Sequence, residues 1–390
     1  MLLTNCRVLP SMSPFTQATL ADVEIEEGKI KTVKPAQSTQ ASGSCIDCGG
    51  KTLLPGLIDL HTHITVLCGV GVGHEDDHMR LFIDAAKQAA RYLDYGFTTI
   101  RDCGSPHRVA NYIRDAIAEG LFDGPQILSC GKIVEPSVER PDEIINPADG
   151  VDGFRRCVRE EVAAKADFIK IYNSGSAFSR STRTDYPIME LEEVQKAVET
   201  ARVNGLYVAA HCHADSAIRD CILSGVKTIE HATYIRPKTV ELLDRARDCY
   251  LVPTFAALYI SQTDPAERMA WERLLNPMLE KCVEGIGLAY RAGKKLGFGT
   301  DSAPGGPQYE KGVEFTMRRE LCGMKNLDIL LQATKYSAEI AGLNNLGDIQ
   351  EGMTADLILV DGNPDEDISI MGRKPLKVWK NGNLIRGTAN

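Results

Sequence analysis

The stretch LLPGLIDLHTHI, residues 53–64, decides how the chain is read. Its apolar residues Leu53, Leu54, Leu57, Ile58 and Leu60 compose a buried strand that ends in His61-Thr62-His63. Side chains at i and i+2 of a strand lie on one side, so both imidazoles reach one point at its carboxyl end. Such a pair is half of a metal site, although by itself it equally fits two polar side chains at a strand end. The remaining ligands have to come from elsewhere in the chain.

Working outward, strand-like runs recur at 96–104, 125–134, 167–175, 206–213, 226–232, 250–255 and 296–303. Between them lie amphipathic stretches of helical period at 79–94, 108–118, 153–166, 190–203, 214–223 and 279–294. With the opening strand this makes eight strands alternating with helices, which predicts an α/β fold of the (β/α)8 TIM-barrel type. The site of such a barrel is built at the carboxyl ends of its strands. The flanks read differently. Residues 2–9 and 20–34 alternate with period two, and after helices at 328–336 and 338–342 the strands resume at 355–360, 375–380 and 383–386, the last two joined by an Asn381-Gly382 turn. We therefore expect a small β-sandwich domain built from both chain ends, 1–54 and 346–390, around a barrel spanning 55–345.

The expected strand ends carry a distinctive set of side chains: His61 and His63 on strand one, Lys170 on strand four, His211 with His213 on strand five, His231 on strand six and Asp301 on strand eight. Taken singly each has an ordinary reading: Asp301 as a helix N-cap, His231 as a core histidine, Lys170 as a snorkelling lysine. Together at one barrel mouth they form a metal site. Lys170 lies inside the apolar run FIKIY, where an unpaired ammonium is costly, and burial favours a neutral amine that can take up CO2 as a carbamate. Imidazoles with carboxylate-type oxygens suit Zn2+ better than Mg2+ or Ca2+. His213 is the alternative ligand from strand five and equally suits a substrate contact; further candidates for holding a substrate are Arg180 and Arg183 after strand four, and Tyr234 and Arg236 after strand six. His74, His78 and His107 are left without a catalytic assignment.

Composition narrows the partners. The 390 residues are 43% hydrophobic and 25% charged, an ordinary globular balance. With 44 basic against 53 acidic residues the net charge is −9, and no basic run offers a nucleic-acid interface. No apolar run reaches about 18 residues, so no membrane span is expected, and the first residues lack the pattern of a secretory leader, which predicts a cytoplasmic location. The 12 cysteines are scattered through apolar contexts and read as reduced core thiols; Cys45 and Cys48 form a lone CxxC without a second pair.

From PGLIDLHTH through Lys170, His211, His231 and GTDS to the closing EGMTADLILVDGNP, the chain resembles the amidohydrolase superfamily over its whole length. The stretches GFTTIRDCG, DFIKIYNSG, VAAHCHA, GVKTIEHAT and VPTF further resemble the branch of imidazolonepropionase-like and Xaa-Pro or Xaa-Arg dipeptidase-like enzymes. The resemblance implies two divalent ions, zinc by preference, with His61, His63 and Asp301 on the more buried one, His211 and His231 on the other, and carboxylated Lys170 bridging them. It also implies a bridging hydroxide, with Asp301 as general base and then acid, cleaving the C–N bond of a linear amide such as a dipeptide or N-acyl amino acid. The alternative is a cyclic amide or imidazolone hydrolase, or a heterocycle deaminase; Lys170 favours the linear amide, because deaminase-type sites usually hold one metal without it. A small-molecule amide substrate and a homo-oligomeric assembly are expected. In one respect the chain departs from dipeptidase-like relatives: its loop at 135–150 has no histidine. A non-catalytic barrel would be expected to have lost ligands, and this sequence retains them all.

Overall fold

The run that reads as one opening strand is two strands in the computed structural model of the chain. Thr52–Pro55 joins a sheet built from the chain ends, and Leu57–Thr62 opens the barrel. Gly56 separates them. A Cβ at this position would meet Thr98 Oγ1 at 2.1 Å, so only glycine lets the chain pass so close to the neighbouring strand. Gly56→Ala should therefore cost about 1–3 kcal/mol in urea unfolding, with part of the loss recovered by adding Thr98→Ala. An unchanged midpoint would show that the two strands can part without penalty.

The structure describes residues 1–14, 20–36, 45–65, 78–138, 143–177, 182–246, 248–258, 265–303 and 312–388. In chain order, β1 (Leu2–Val8), β2 (Ala21–Glu26), β3 (Lys29–Pro35), β4 (Cys45–Asp47) and β5 (Thr52–Pro55) precede the barrel. The barrel strands are β6 (Leu57–Thr62), β7 (Phe97–Asp102), β8 (Gln126–Ser129), β9 (Ile133–Glu135), β10 (Ile145–Pro147), β11 (Ile169–Tyr172), β12 (Val208–Cys212), β13 (Thr228–His231) and β14 (Tyr250–Val252). β15 (Leu357–Val360), β16 (Lys377–Lys380) and β17 (Asn383–Arg386) follow.

The chain-end strands form one sheet in the order β17-β16-β15-β5-β1-β2-β3, with β4 alongside β1. β15 shows why its sequence LILV is apolar at every position. Leu357 and Leu359 pack with Leu3, Val23 and Trp379 in one core, whereas Ile358 and Val360 belong to the large core beneath the barrel helices. Both faces of this strand are covered.

The barrel strands run parallel in the order β6-β7-β8 and β9-β11-β12-β13-β14, with β10 added at the edge of β9. The expected third strand is broken: β8 pairs with β7 and β9 pairs with β11, so one stretch of chain serves both halves of the wall. The expected eighth strand, 296–303, is no regular strand and holds its neighbours through two isolated bridges, Leu296 with Leu251 and Ser302 with Thr62. Further hydrogen bonds from Leu60 N to Phe298 O and from His63 N to Ser302 O, each 2.8 Å, complete the closure. Gly299 lets this segment lie close, since a Cβ there would stand 2.7 Å from Val252 Cγ1 and 3.0 Å from His61 Cβ.

The helices that follow the strands are α1 (His78–Asp94), α2 (Val109–Ala118), α3 (Gly150–Ala163), α4 (Leu191–Val203), α5 (Asp215–Ser224), α6 (Pro237–Leu242), α7 (Pro265–Arg291) and α8 (Val313–Cys322). α7 begins at Pro265 and carries Pro277 in its interior, starting well before the expected 279. Buried Arg318 on α8 donates to Gly297 O at 3.0 Å, to Pro253 O at 2.8 Å and to Glu314 Oε1 at 2.7 Å, tying the eighth segment to the end of β14. Among the described residues no helix is long and apolar enough to cross a membrane, and no cysteine forms a disulfide.

Candidate metal centre

The carboxyl ends of β6, β11, β12 and β13 and the eighth segment bring His61, His63, Lys170, His211, His213, His231 and Asp301 into one buried cluster. The His61 and His231 rings are 4.8 Å apart, His211 and His231 4.5 Å, and His211 and His213 4.5 Å. One ligand atom from each of His61, His231 and Asp301 falls within a 4.8 Å span. A small cavity of about 40 Å³ lies against them, walled by Tyr172, Ala177, Ala257, Leu258 and Cys282.

Hydrogen bonding fixes which nitrogen each ring presents. His61 Nδ1 is 2.7 Å from Glu230 Oε2, and His63 Nδ1 is 3.0 Å from the Gly104 carbonyl. Both partners only accept, so both rings carry their proton on Nδ1 and present a bare Nε2. Those two Nε2 atoms stand 3.5 and 3.4 Å from Asp301 Oδ1. Three lone-pair donors facing one another repel unless a cation lies among them, and the residues present fit a metal ion on that ground. His211 shows the opposite tautomer: its Nε2 faces the Gly175 carbonyl at 3.4 Å, leaving the buried Nδ1 without a partner. Lys170 Nζ is likewise buried with no hydrogen bond and lies 5.6 Å from the centre of the Tyr172 ring. Tyr172 in turn stacks on His211 at 4.1 Å.

Electrostatics prepare the rings. Burial, reinforced by the charge of Lys170, lowers His61 to about 4, and burial lowers His213 to about 3. His211 and His231 are pushed well below their ordinary value, again chiefly by burial. These are the neutral imidazoles that metal ligation requires. His63 moves the other way: burial opposes its protonation, but the charge of nearby Asp301 outweighs it. Asp301 is held below the usual carboxylate range because His61 and His63 overcome the cost of its burial.

Two of the cluster residues sit in the left-handed region, His231 at φ 67° and Asp301 at φ 55°. Such a backbone costs about 1–3 kcal/mol in a non-glycine residue and tends to gather at functional sites. At His231 it has a visible effect. Neighbours on a strand normally point to opposite faces, yet Glu230 touches His61 and the His231 ring lies beside the same His61.

Sequence reasoning missed the layer behind the cluster. Glu230 is buried between His61 Nδ1, Arg101 Nη2 at 2.7 Å and Thr228 Oγ1 at 2.6 Å. Burial works against its ionisation, but the Arg101 and Lys170 cations hold its carboxyl far below the usual range. Asp59 accepts from His61 N at 3.0 Å and from Thr300 Oγ1 at 2.6 Å, joining strand one to the eighth segment. Asp102 accepts from Ile64 N at 2.9 Å and from Gly104 N at 3.2 Å, and burial raises it to about 6. Thr233 and Thr254 stand 2.7 Å from His213 Nδ1 and His231 Nδ1. Charged residues inside the apolar runs TTIRD and KTIEH were the available signal.

The expected substrate contacts scatter. His213 lines the cavity at the cluster. Tyr234 is half-buried with its hydroxyl 3.3 Å from Thr184 Oγ1, and it lines a separate cleft. Arg183 is exposed and paired with Asp185 at 2.8 Å. Arg180, His74 and the side chain of His78 lie outside the described residues. His107, at φ 51°, faces Glu143 at 3.3 Å near the start of α2.

The sequence profile of the Amidohydrolase family matches residues 52–385. Ochratoxinase of Aspergillus niger is 28% identical over 382 residues, covering 86% of this chain and 76% of that protein. The solved structure of a prolidase complexed with N-methylphosphonate-L-proline is 28% identical, with a TM-score of 0.88 and 99% of each chain covered. A Xaa-Pro dipeptidase with methionine bound in its active site is 27% identical, with a TM-score of 0.86 and 99% of each chain covered. Profile, relatives and fold agree with the clustered histidines: the chain belongs to the amidohydrolase family, metal-dependent hydrolases of carbon–nitrogen bonds.

Proposed function

We propose that this chain hydrolyses the C–N bond of a linear amide, a dipeptide or an N-acyl amino acid, with two divalent ions, zinc by preference. The observation that carries this reading is Lys170, a buried amine without a hydrogen-bond partner on the same barrel mouth as His61, His211, His231 and Asp301. Once its ammonium gives up a proton, the amine attacks CO2 and sheds a second proton, giving a carbamate whose two oxygens suit a bridge between cations. His61, His63 and Asp301 would hold one ion, His211 and His231 the other, and the carbamate both. The similar proteins named as a prolidase and a Xaa-Pro dipeptidase support a dipeptide-like substrate.

Bound ions of this kind lower the pKa of a water and polarise a carbonyl. The chain supplies the rest. Glu230 and the Gly104 carbonyl lock the tautomers of His61 and His63, so that both rings face Asp301. Asp301, ionised, accepts the proton of the attacking water and returns it to the leaving nitrogen. Its strained backbone, one residue before the bridge at Ser302, keeps the carboxylate over the cluster.

The test is metal content measured together with turnover of a panel of dipeptides, N-acyl amino acids and cyclic amides. Two ions per chain and linear-amide hydrolysis are expected. Stripping the metal with a chelator should abolish turnover and lower the melting temperature, and Zn2+ should restore both. One ion with ring opening or ammonia release would replace this reading, and a metal-free protein indifferent to chelation would end it.

A further inference from the structure

Outside the ring of strands, α5, α6 and α7 enclose a cleft of about 760 Å³ that shares no lining residue with the cavity at the metal centre. This is the volume of a small-molecule site. Its charges do not balance. Two of the three acids on its walls are paired with cations, Asp185 with Arg183 at 2.8 Å and Glu284 with Lys281 at 2.9 Å; Asp215 keeps its charge, its Oδ1 accepting from the backbone N–H of Arg236 at 2.8 Å. Arg219, Arg236 and Arg291 line the same cleft, and among the described residues none of their guanidinium groups has an ion-pair partner. Three unpaired guanidiniums therefore face one concavity whose floor includes Ile235 and Leu288.

The chain carries a net charge of −9, yet charges farther away than a screening length of about 8 Å contribute little at physiological salt, so the local arginines set the potential. Guanidinium forks bind oxyanions in pairs of parallel hydrogen bonds. From this arrangement we propose that the α5–α6–α7 cleft is a second, non-catalytic site for a small organic anion bearing two or more negative charges on an apolar body. The anionic groups engage Arg219, Arg236 and Arg291, and the body lies on Ile235 and Leu288. Arg236 follows His231 by five residues, so an occupant holds the segment that leads out of β13.

The probe is benzene-1,3-disulfonate, a rigid dianion whose sulfonates ligate metal ions poorly, which keeps it off the metal centre. Titration calorimetry of the metal-loaded protein at low ionic strength should give saturable binding of one disulfonate per chain, weakening as salt is added. Neutral benzenesulfonamide should not bind. The double variant Arg219→Ser/Arg291→Ser should bind the disulfonate about tenfold more weakly while hydrolysing an uncharged amide at the parent rate. The absence of saturable binding would overturn the proposal, as would equal affinity in the double variant. Lost turnover in that variant would make the cleft part of the substrate path, and a changed sedimentation coefficient would make it a subunit contact; either result also overturns a separate anion site. The binding readouts do not depend on which amide the metal centre cleaves.

Discussion

A chain carrying Lys170→Met is expected to fold, to retain less metal and to lose turnover by about a thousandfold or more. Methionine occupies similar volume, and because nothing hydrogen-bonds to Nζ the replacement strands no partner. Turnover falls because several kcal/mol of charge stabilisation leave with the metal, and each ~1.4 kcal/mol is a factor of ten in rate. Lys170→Ala should behave alike but leave space beside Tyr172 in which a short carboxylic acid can lodge. Propionate should then restore part of both metal content and activity. Parental activity in Lys170→Met, with metal counted in the same sample, would refute the bridging role.

The second large effect is expected at Glu230. Its carboxylate pairs with Arg101 and accepts from His61 Nδ1, all three side chains being buried. Glu230→Ala leaves a buried guanidinium uncompensated, a loss of about 3–5 kcal/mol that should appear as a lower melting temperature even in metal-free protein. Glu230→Gln keeps an oxygen to accept from His61 but removes the charge. It too should lower the melting temperature, since Arg101 loses its counter-charge, and it should weaken metal affinity about 10–100-fold, as for other residues that orient a ligand from behind. Parental metal affinity in Glu230→Gln would mean that His61 is oriented by something else.

What the sequence disclosed follows from the range of the interactions involved. The i, i+2 pair His61 and His63 is local, and so is the rhythm of apolar runs and amphipathic stretches; both are plain in the chain. Lys170 stood out as a charge inside an apolar run. Arg101 and Glu230 give that same signal, but neither is a histidine nor ends a run, and only the fold shows that they meet. The break at Gly56 was hidden because the atom that forbids a Cβ belongs to Thr98, some forty residues away. Strand three reads as continuous although its halves pair with different neighbours. Left-handed backbone at His231 and Asp301 leaves no mark in a sequence, since neither is glycine. Arg183 looked free at the barrel mouth, yet its partner Asp185 is only two residues on.

The eighth segment of the barrel carries a mechanical consequence. A segment held to each neighbour by a single bridge, to β14 through Leu296 and to β6 through Ser302, leaves a seam in the wall, and Asp301 stands on the β6 side of it, donating its N–H to His61 O at 2.7 Å. Whatever draws Asp301 toward His61 and His63 sews that seam shut, while Arg318 anchors the segment from below. Loading the centre and closing the cylinder are then a single equilibrium. The amide hydrogens of Leu60, His63 and Asp301 should exchange with solvent more slowly once metal is bound, whereas those of β11 and β12, mid-wall and fully laddered, should be indifferent to it.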